Sequence, residues 1–88
     1  MIRRLEIRIT HKGERCVVVA RENNDGWAYG YAYICREENL DLDDGEFKLE
    51  TGDVERVFGN GDNDDMSKRI AWNLTVACAE QLAKDFND

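Results

Sequence analysis

A stretch in the first half of the chain, Trp27 to Arg36, constrains the possible folds most strongly. Large and small side chains alternate along it with a period of two, which is the period of a β-strand. One side of this strand is predicted to carry the large residues and a cysteine: Trp27, Tyr29, Tyr31, Tyr33 and Cys35. Since directly opposed residues of paired strands share a face, the pattern predicts which side of the whole sheet is the core.

Two further strands are predicted before this one. Apolar and polar residues alternate over positions 4–10, which indicates a strand with one wet face. Positions 15–22 contain the run Cys-Val-Val-Val-Ala, which is apolar on both sides and typical of a central strand. We therefore expect the run at 15–22 to lie between the other two strands.

Two short loops set the predicted register. Lys12-Gly13 and Asp25-Gly26 fit two-residue hairpin turns, because Gly and Asp tolerate the left-handed backbone that such turns require. The predicted opposed pairs are Thr10 with Arg15, Ile9 with Cys16, Ile7 with Val18, Val18 with Tyr33, and Ala20 with Tyr31. The predicted core face consists of Leu5, Ile7, Ile9, Cys16, Val18, Ala20, Tyr29, Tyr31, Tyr33 and Cys35.

The opposite face of the sheet is predicted to be exposed, with arginines around a small apolar centre. Its arginines are Arg4, Arg8, Arg15, Arg21 and Arg36. Its apolar centre consists of Val17, Val19, Ala28, Ala32 and Ile34. Such a face is either an ordinary wet sheet surface, with its arginines paired to Glu6, Glu46 and Glu50, or a platform for anions.

The second half of the chain predicts one or two short strands and a long helix. Positions 37–44 are expected to form an exposed acidic connection, 46–51 a strand, and 54–58 its continuation or a fifth strand. The helix is expected to begin between Asp64 and Met66 and to extend over about 20 residues. Its predicted inward side consists of Met66, Ile70, Ala71, Leu74, Ala77, Cys78, Leu82 and Phe86.

These elements predict an α+β fold: an antiparallel four- to five-stranded meander sheet with one long C-terminal helix packed across one face. A chain of 88 residues is expected to form a single domain, residues 1–88. The sequence has no apolar run near the roughly 18 residues of a membrane span and no secretory signal pattern, so we expect a cytoplasmic protein. Cys16, Cys35 and Cys78 are expected to be reduced, because their number is odd and they lie far apart.

Charge is distributed unevenly along the chain. Positions 1–21 carry six Lys/Arg and two Asp/Glu, positions 22–65 carry three and fourteen, and positions 66–88 carry three of each. The net charge is −7. A net negative charge disfavours direct nucleic-acid binding, since it repels the phosphates unless the acidic residues point away from them.

No catalytic residue, cofactor or metal site is expected. His11 is the only histidine and is predicted to lie in a turn, where it lacks partners for nucleophilic catalysis. The spacing of Asn39, Asp41 and Asp43 resembles part of a calcium loop, but Asp44 stands where an EF-hand requires glycine. Gly59-Asn60-Gly61 precedes a helix, but the carboxylates that follow it oppose phosphate binding.

The sequence therefore favours a small, acidic, non-catalytic binding or inhibitor protein. Its expected partner is a protein with a basic, nucleic-acid-binding surface, which a carboxylate array attracts and occupies as a DNA mimic would. Small phage proteins that inhibit host defence, anti-CRISPR proteins among them, share this profile of size and charge. The predicted partner-binding residues are Glu37, Glu38, Asp41, Asp43, Asp44, Asp62, Asp64 and Asp65.

Two alternatives remain open. The arginine face can bind nucleic acid or another anion, although the aromatic residues that would stack on bases are assigned to the core. The apolar centre around Val17 and Val19 can instead pair with a second copy and form a homodimer.

Overall fold

The structure is a computed structural model, and it describes residues 3–23, 27–42, 56–59 and 63–88. An antiparallel sheet packs against one C-terminal helix, so the predicted α+β class is confirmed. The elements are β1 (Arg4–His11), β2 (Glu14–Asn23), β3 (Tyr29–Arg36), a 3-10 helix (Glu37–Leu42), β4 (Arg56–Gly59) and α1 (Asp65–Phe86). The sheet order is β1-β2-β3-β4. The prediction of a strand at 46–51 falls outside the described residues, so the count of four to five strands stays a prediction.

The first hairpin has the predicted register. Ile9 lies opposite Cys16 and Ile7 opposite Val18. Lys12 and Gly13 form the two-residue loop, with φ of 51° and 78° respectively. Both angles are left-handed, as the type I′ turn requires, and this turn matches the twist of the strands it joins. β2 is the expected central strand, and its residues Cys16 to Ala20 are fully buried.

The second hairpin departs from the predicted register by one residue. Val18 lies opposite Ile34 and Val19 opposite Tyr33, so the predicted pairing of Val18 with Tyr33 is wrong. The last pair of the hairpin is Asn23 with Tyr29, so five residues separate the strands where a two-residue Asp25-Gly26 loop was predicted. A shift of one residue turns every side chain of a strand to the opposite face.

The shift exchanges the predicted roles of the two sides of β3. Ala32 and Ile34 belong to the core beneath α1, whereas Tyr33 and Cys35 belong to a second apolar cluster with Val17 and Val19. The predicted accessible apolar centre is therefore absent, because Val17, Val19, Ala28, Ala32 and Ile34 are all fully buried. The prediction that these residues pair with a second copy is wrong for the same reason.

Close approach of α1 to the sheet explains which side of β3 it covers. A Cβ atom built on Gly30 would lie 2.2 Å from Oγ1 of Thr75 and 3.0 Å from the carbonyl oxygen of Arg21. Thr75 is fully buried, and its hydroxyl donates a hydrogen bond of 2.7 Å to the carbonyl of Ala71. Small residues on β3 thus let the helix backbone come near, and tyrosines in their place would hold it away.

The buried side of α1 consists mainly of small residues. They recur every four positions: Ser67, Ala71, Thr75, Ala79 and Ala83, with Leu82 beside them. Met66, Ile70 and Leu74 were predicted to face the sheet, but their side chains are 72%, 42% and 47% exposed. The predicted inward stripe is therefore wrong at Met66, Ile70, Leu74 and Ala77 and correct at Ala71 and Leu82, with Cys78 and Phe86 half-buried against the core.

The chain end beyond α1 is hydrogen-bonded to the first hairpin. Oδ1 of Asn87 accepts a hydrogen bond of 3.0 Å from the backbone N–H of Thr10, and the N–H of Asp88 donates one of 2.8 Å to the Thr10 carbonyl. A carboxylate oxygen of Asp88 also accepts from the N–H of Lys12. The C-terminal end of α1 therefore lies at the sheet end that carries the β1–β2 turn.

Candidate partner-binding surface

An exposed carboxylate pair begins the 3-10 helix that follows β3. Glu37 and Glu38 occupy its first turn, and both side chains are exposed. Leu40, two residues further on, packs against the apolar cluster of Val17, Val19, Tyr33 and Cys35. One leucine thus anchors the short helix while the two carboxylates face solvent, which fixes their position relative to the sheet.

The same carboxylate pair lines a charged cleft. The cleft has a volume of about 400 Å³, and its lining residues are Glu14, Arg15, Arg36, Glu37 and Glu38. Nε of Arg36 donates a hydrogen bond of 3.0 Å to Oε2 of Glu14. This bond and the charge of Glu14 raise the pKa of Arg36, which keeps its guanidinium charged. The named side chains carry three negative and two positive charges, and Arg36 is already paired.

Two of the predicted partner-binding residues, Asp64 and Asp65, lie elsewhere. Asp64 is the N-cap of α1, where its Oδ1 accepts a hydrogen bond of 2.8 Å from the N–H of Ser67. That bond lowers the pKa of Asp64, because it stabilises the ionised carboxylate. The start of α1 lies at the sheet end opposite its C-terminus, and Glu37 follows β3 at the end near the β1–β2 turn. The structure therefore does not join Asp64 and Asp65 with Glu37 and Glu38 in one patch.

The remaining predicted acidic residues are described in part or not at all. Asp41 lies on the 3-10 helix with Glu37 and Glu38, and its backbone alone is described. Asp43, Asp44 and Asp62 lie outside the described residues. Sequence reasoning missed Glu14, which joins the carboxylate pair only because the β1–β2 turn lies beside the end of β3. No local pattern around Glu14 signals this neighbourhood.

The arginine face differs from its prediction in membership and in pairing. Arg36 leaves it, because the register shift places Arg36 opposite Cys16 on the side of the sheet that faces α1. Arg4 and Arg8 share Glu6, at 2.9 and 3.3 Å respectively. The predicted pairing with Glu6 is thus confirmed, and the proposed partners Glu46 and Glu50 lie outside the described residues.

The other two arginines of this face, Arg21 and Arg15, also lie beside aromatic or acidic residues. The guanidinium carbon of Arg21 lies 5.9 Å from the centre of the Tyr31 ring, which itself stacks on Tyr33 at 5.8 Å. Arg15 lines the cleft with Glu37 and Glu38. The arginines are therefore distributed among separate local contacts, with acidic or aromatic neighbours at each.

His11 is not a solvated turn residue, contrary to its prediction. It is the last residue of β1 and half-buried, and its Nδ1 lies 2.9 Å from the carbonyl oxygen of Phe86, to which it donates. Its ring also meets that of Phe86 edge-on at 5.4 Å. Nε2 is buried without a hydrogen-bond partner. His11 thus joins the end of α1 to the sheet.

The cysteines are free thiols in the described structure. Cys16 and Cys35 are buried, and burial is the main cause that raises the pKa of each thiol. A raised pKa disfavours the thiolate, which is the nucleophilic and metal-binding form. Within residues 3–23, 27–42, 56–59 and 63–88, no three His, Cys, Asp or Glu side chains cluster as a metal site would require.

Comparison with protein-family models, with curated proteins and with solved structures finds no match for this chain. In the described part of the chain, no helix is both long enough and apolar enough to cross a membrane.

Proposed function

We propose that this protein is a small, non-catalytic binding or inhibitor protein whose acidic edge engages a basic partner. The observation that carries this proposal is the exposed pair Glu37 and Glu38, held on a short helix by Leu40 and joined by Glu14. A fixed array of carboxylates attracts a positive surface over long range and orients it on contact. The partner class is a protein with a nucleic-acid-binding groove, which the array would occupy in place of phosphates.

The distribution of charge supports this edge as the working surface. The described residues carry eleven Lys/Arg and eleven Asp/Glu, so they are balanced, whereas the rest of the chain carries one Lys and eight Asp/Glu. Six of those eight acidic residues fall in positions 43–55, which follow the 3-10 helix directly in sequence. Positions 43–55 thus carry five of the seven net negative charges, and they follow Glu37 and Glu38 closely in sequence.

The proposal extends to the compartment, the biological role and the strand count of the protein. We place the protein in the cytoplasm, in the role that phage inhibitors of host defence such as anti-CRISPR proteins fill. The scaffold is a four- to five-stranded meander in which 46–51 supplies a strand. Binding needs no cofactor, and no step of it is enzymatic.

The alternative function is anion or nucleic-acid binding by Arg4, Arg8, Arg15 and Arg21. Its support is the proximity of the Arg4 and Arg8 guanidiniums, which both contact Glu6. This alternative predicts a salt-sensitive shift of plain oligonucleotides in a gel, and the acidic-edge proposal predicts none.

Charge reversal tests the acidic edge. The protein is used to capture partners from its native host, and the affinity of each captured basic protein is then measured for the native chain and for Glu38→Lys. We expect Glu38→Lys to weaken binding about tenfold or more, and a competing DNA duplex to displace the native chain, because both depend on the same positive groove.

The matched control is Asp85→Lys. Asp85 is exposed on α1, outside the edge, and the substitution changes net charge equally, so we expect an affinity within about twofold of native. Reversal of Glu37, Glu38, Asp41, Asp43 and Asp44 together should abolish binding. Capture that survives the full reversal at native affinity contradicts the proposal.

A further inference from the structure

The outward side of α1 carries an exposed apolar stripe. Met66, Ile70 and Leu74 follow one another at intervals of four residues, so they lie along the same side of the helix. Met66 is 72% exposed, and the other two are more than two-fifths exposed. The sheet is packed against the opposite side of α1, through residues such as Ala71 and Thr75. Neighbouring exposed apolar side chains along one side of a helix are typical of an interaction surface.

One edge of this stripe carries two charges of opposite sign without partners. Arg69 and Glu80 are exposed, and neither forms an ion pair with any residue of the described chain. They are eleven positions apart, which is close to three turns of helix, so both project along the same edge about 16 Å from each other. The midpoint between them falls at Leu74, the last residue of the stripe.

From this arrangement we propose that a second copy of the chain covers the outward side of α1, with the two helices antiparallel. A two-fold axis near Leu74 brings Arg69 of one copy opposite Glu80 of the other, and every contact occurs twice. Ile70 and Leu74 of both copies then pack between the two ion pairs, and Met66 of each copy lies just outside them. Antiparallel packing also sets the opposite ends of the helix dipoles beside each other.

Charge complementarity favours a second copy over another occupant. The chain carries −7 overall, so two copies repel unless they meet through a balanced surface. Positions 66–88, which include most of α1, carry three Lys/Arg and three Asp/Glu. The interface is formed by a single helix, which places it below the roughly 1,200 Å² of a standard stable complex and predicts a weak dimer.

A charge swap tests this dimer. Sedimentation equilibrium of the native chain from about 1 µM to about 1 mM covers the dissociation constants expected of a small interface. We expect Arg69→Glu and Glu80→Arg each to weaken dimerisation about tenfold or more, because each replaces two attractions by two repulsions. The double variant restores both attractions, so its dissociation constant should return to within about threefold of native.

The control variant is Lys68→Glu. It lies one position from Arg69 and changes the charge equally, but its half-buried side chain lies on the flank of α1 that turns toward the sheet. It should leave dimerisation within about threefold of native, and far-ultraviolet circular dichroism verifies that each variant is folded. A native chain that stays monomeric throughout, or a double variant as weak as the single ones, overturns the proposal. The outcome is independent of the acidic edge, because Glu37 and Glu38 are not on α1.

Discussion

Cys16 and Cys35 illustrate how one sheet buries similar residues on opposite sides. Cys16 lies opposite Arg36 and Cys35 lies opposite Val17. Cys16 therefore packs in the cluster beneath α1, and Cys35 packs in the cluster with Tyr33 and Leu40. Burial keeps both thiols protonated. Both cysteines therefore contribute to packing, and burial suppresses the formation of the reactive thiolate at each.

The raised thiol pKa values predict a loss of stability at alkaline pH. In the unfolded chain the thiols ionise near their ordinary value of 9.0, while the folded thiols stay protonated to higher pH. Their contribution to folding is complete below pH 9.0 and is lost as the pH rises through the folded pKa values. Urea unfolding at a series of pH values from neutral to alkaline measures this decline.

Replacement of both thiols supplies the comparison. The Cys16→Ala/Cys35→Ala variant is less stable at neutral pH, since it loses buried volume, but its free energy of unfolding should fall less steeply above pH 9.0. If the free energy of unfolding falls equally steeply with pH in the native chain and the variant, groups other than these thiols cause the decline.

At the scale of elements, the contact between α1 and β3 decides the arrangement of the fold. Gly30 lies where the helix comes closest, beneath Thr75. The small residues of both elements allow this approach, and the larger Ile9, Ile34 and Leu82 fill the core nearer the end of α1. The same approach leaves the outward side of α1 with Met66, Ile70 and Leu74. A helix packed by its small residues therefore exposes its large ones.

Gly30→Ala tests this contact. The added methyl group would lie 2.2 Å from Oγ1 of Thr75, so α1 must shift, and we expect a loss of about 1–3 kcal/mol in the free energy of unfolding. Thr75→Ala removes that oxygen, and the double variant should be more stable than the sum of the two single effects predicts, by about 1 kcal/mol.

Chemical denaturation of the native chain, the two single variants and the double variant completes this double-mutant cycle. Gly13→Ala is not a matched control, since Gly13 has a left-handed φ of 78° and is strained by any side chain. Additive effects of Gly30→Ala and Thr75→Ala would show that the two residues do not compete for the same space.

The whole molecule has a core on both sides of its sheet. Val18 belongs to the cluster beneath α1, and Val17 belongs to the cluster that Leu40 closes from the other side. The second cluster also matters for the proposed function, because Leu40 fixes the helix that carries Glu37 and Glu38. Burial on one side thus positions the proposed binding edge, while α1 occupies the other side.

A pair of substitutions tests the two-sided core. Val17 and Val18 are both fully buried, so we expect Val17→Ala and Val18→Ala each to cost about 1–3 kcal/mol in the free energy of unfolding. The predicted one-sided fold would make Val17→Ala nearly neutral, since it left Val17 on an exposed face. Thermal or urea unfolding of both variants distinguishes these outcomes. An unchanged free energy of unfolding for Val17→Ala would contradict a second core on that side of the sheet.

The sequence by itself determined the elements whose signals are local. The alternation in residues 4–10 and the Lys12-Gly13 turn predicted β1, β2 and their register, since a two-residue loop allows only one register of the two strands. Capping carboxylates predicted the start of α1 within a residue of Asp65. These features depend on neighbours in sequence, so the sequence contains the information for them.

The tertiary structure alone decided which face of β3 lies beneath α1, and hence the position of the proposed binding surfaces. β3 is apolar on both sides, so its pattern fits either register, and the longer connection before Tyr29 shifts it by one residue. Packing favoured the register that sets Gly30 beneath Thr75, because a small-residue helix comes closest to a small-residue strand. That choice left Met66, Ile70 and Leu74 exposed and moved Arg36 to the side of Cys16. Such placements depend on the distance between elements far apart in sequence, which no local pattern encodes.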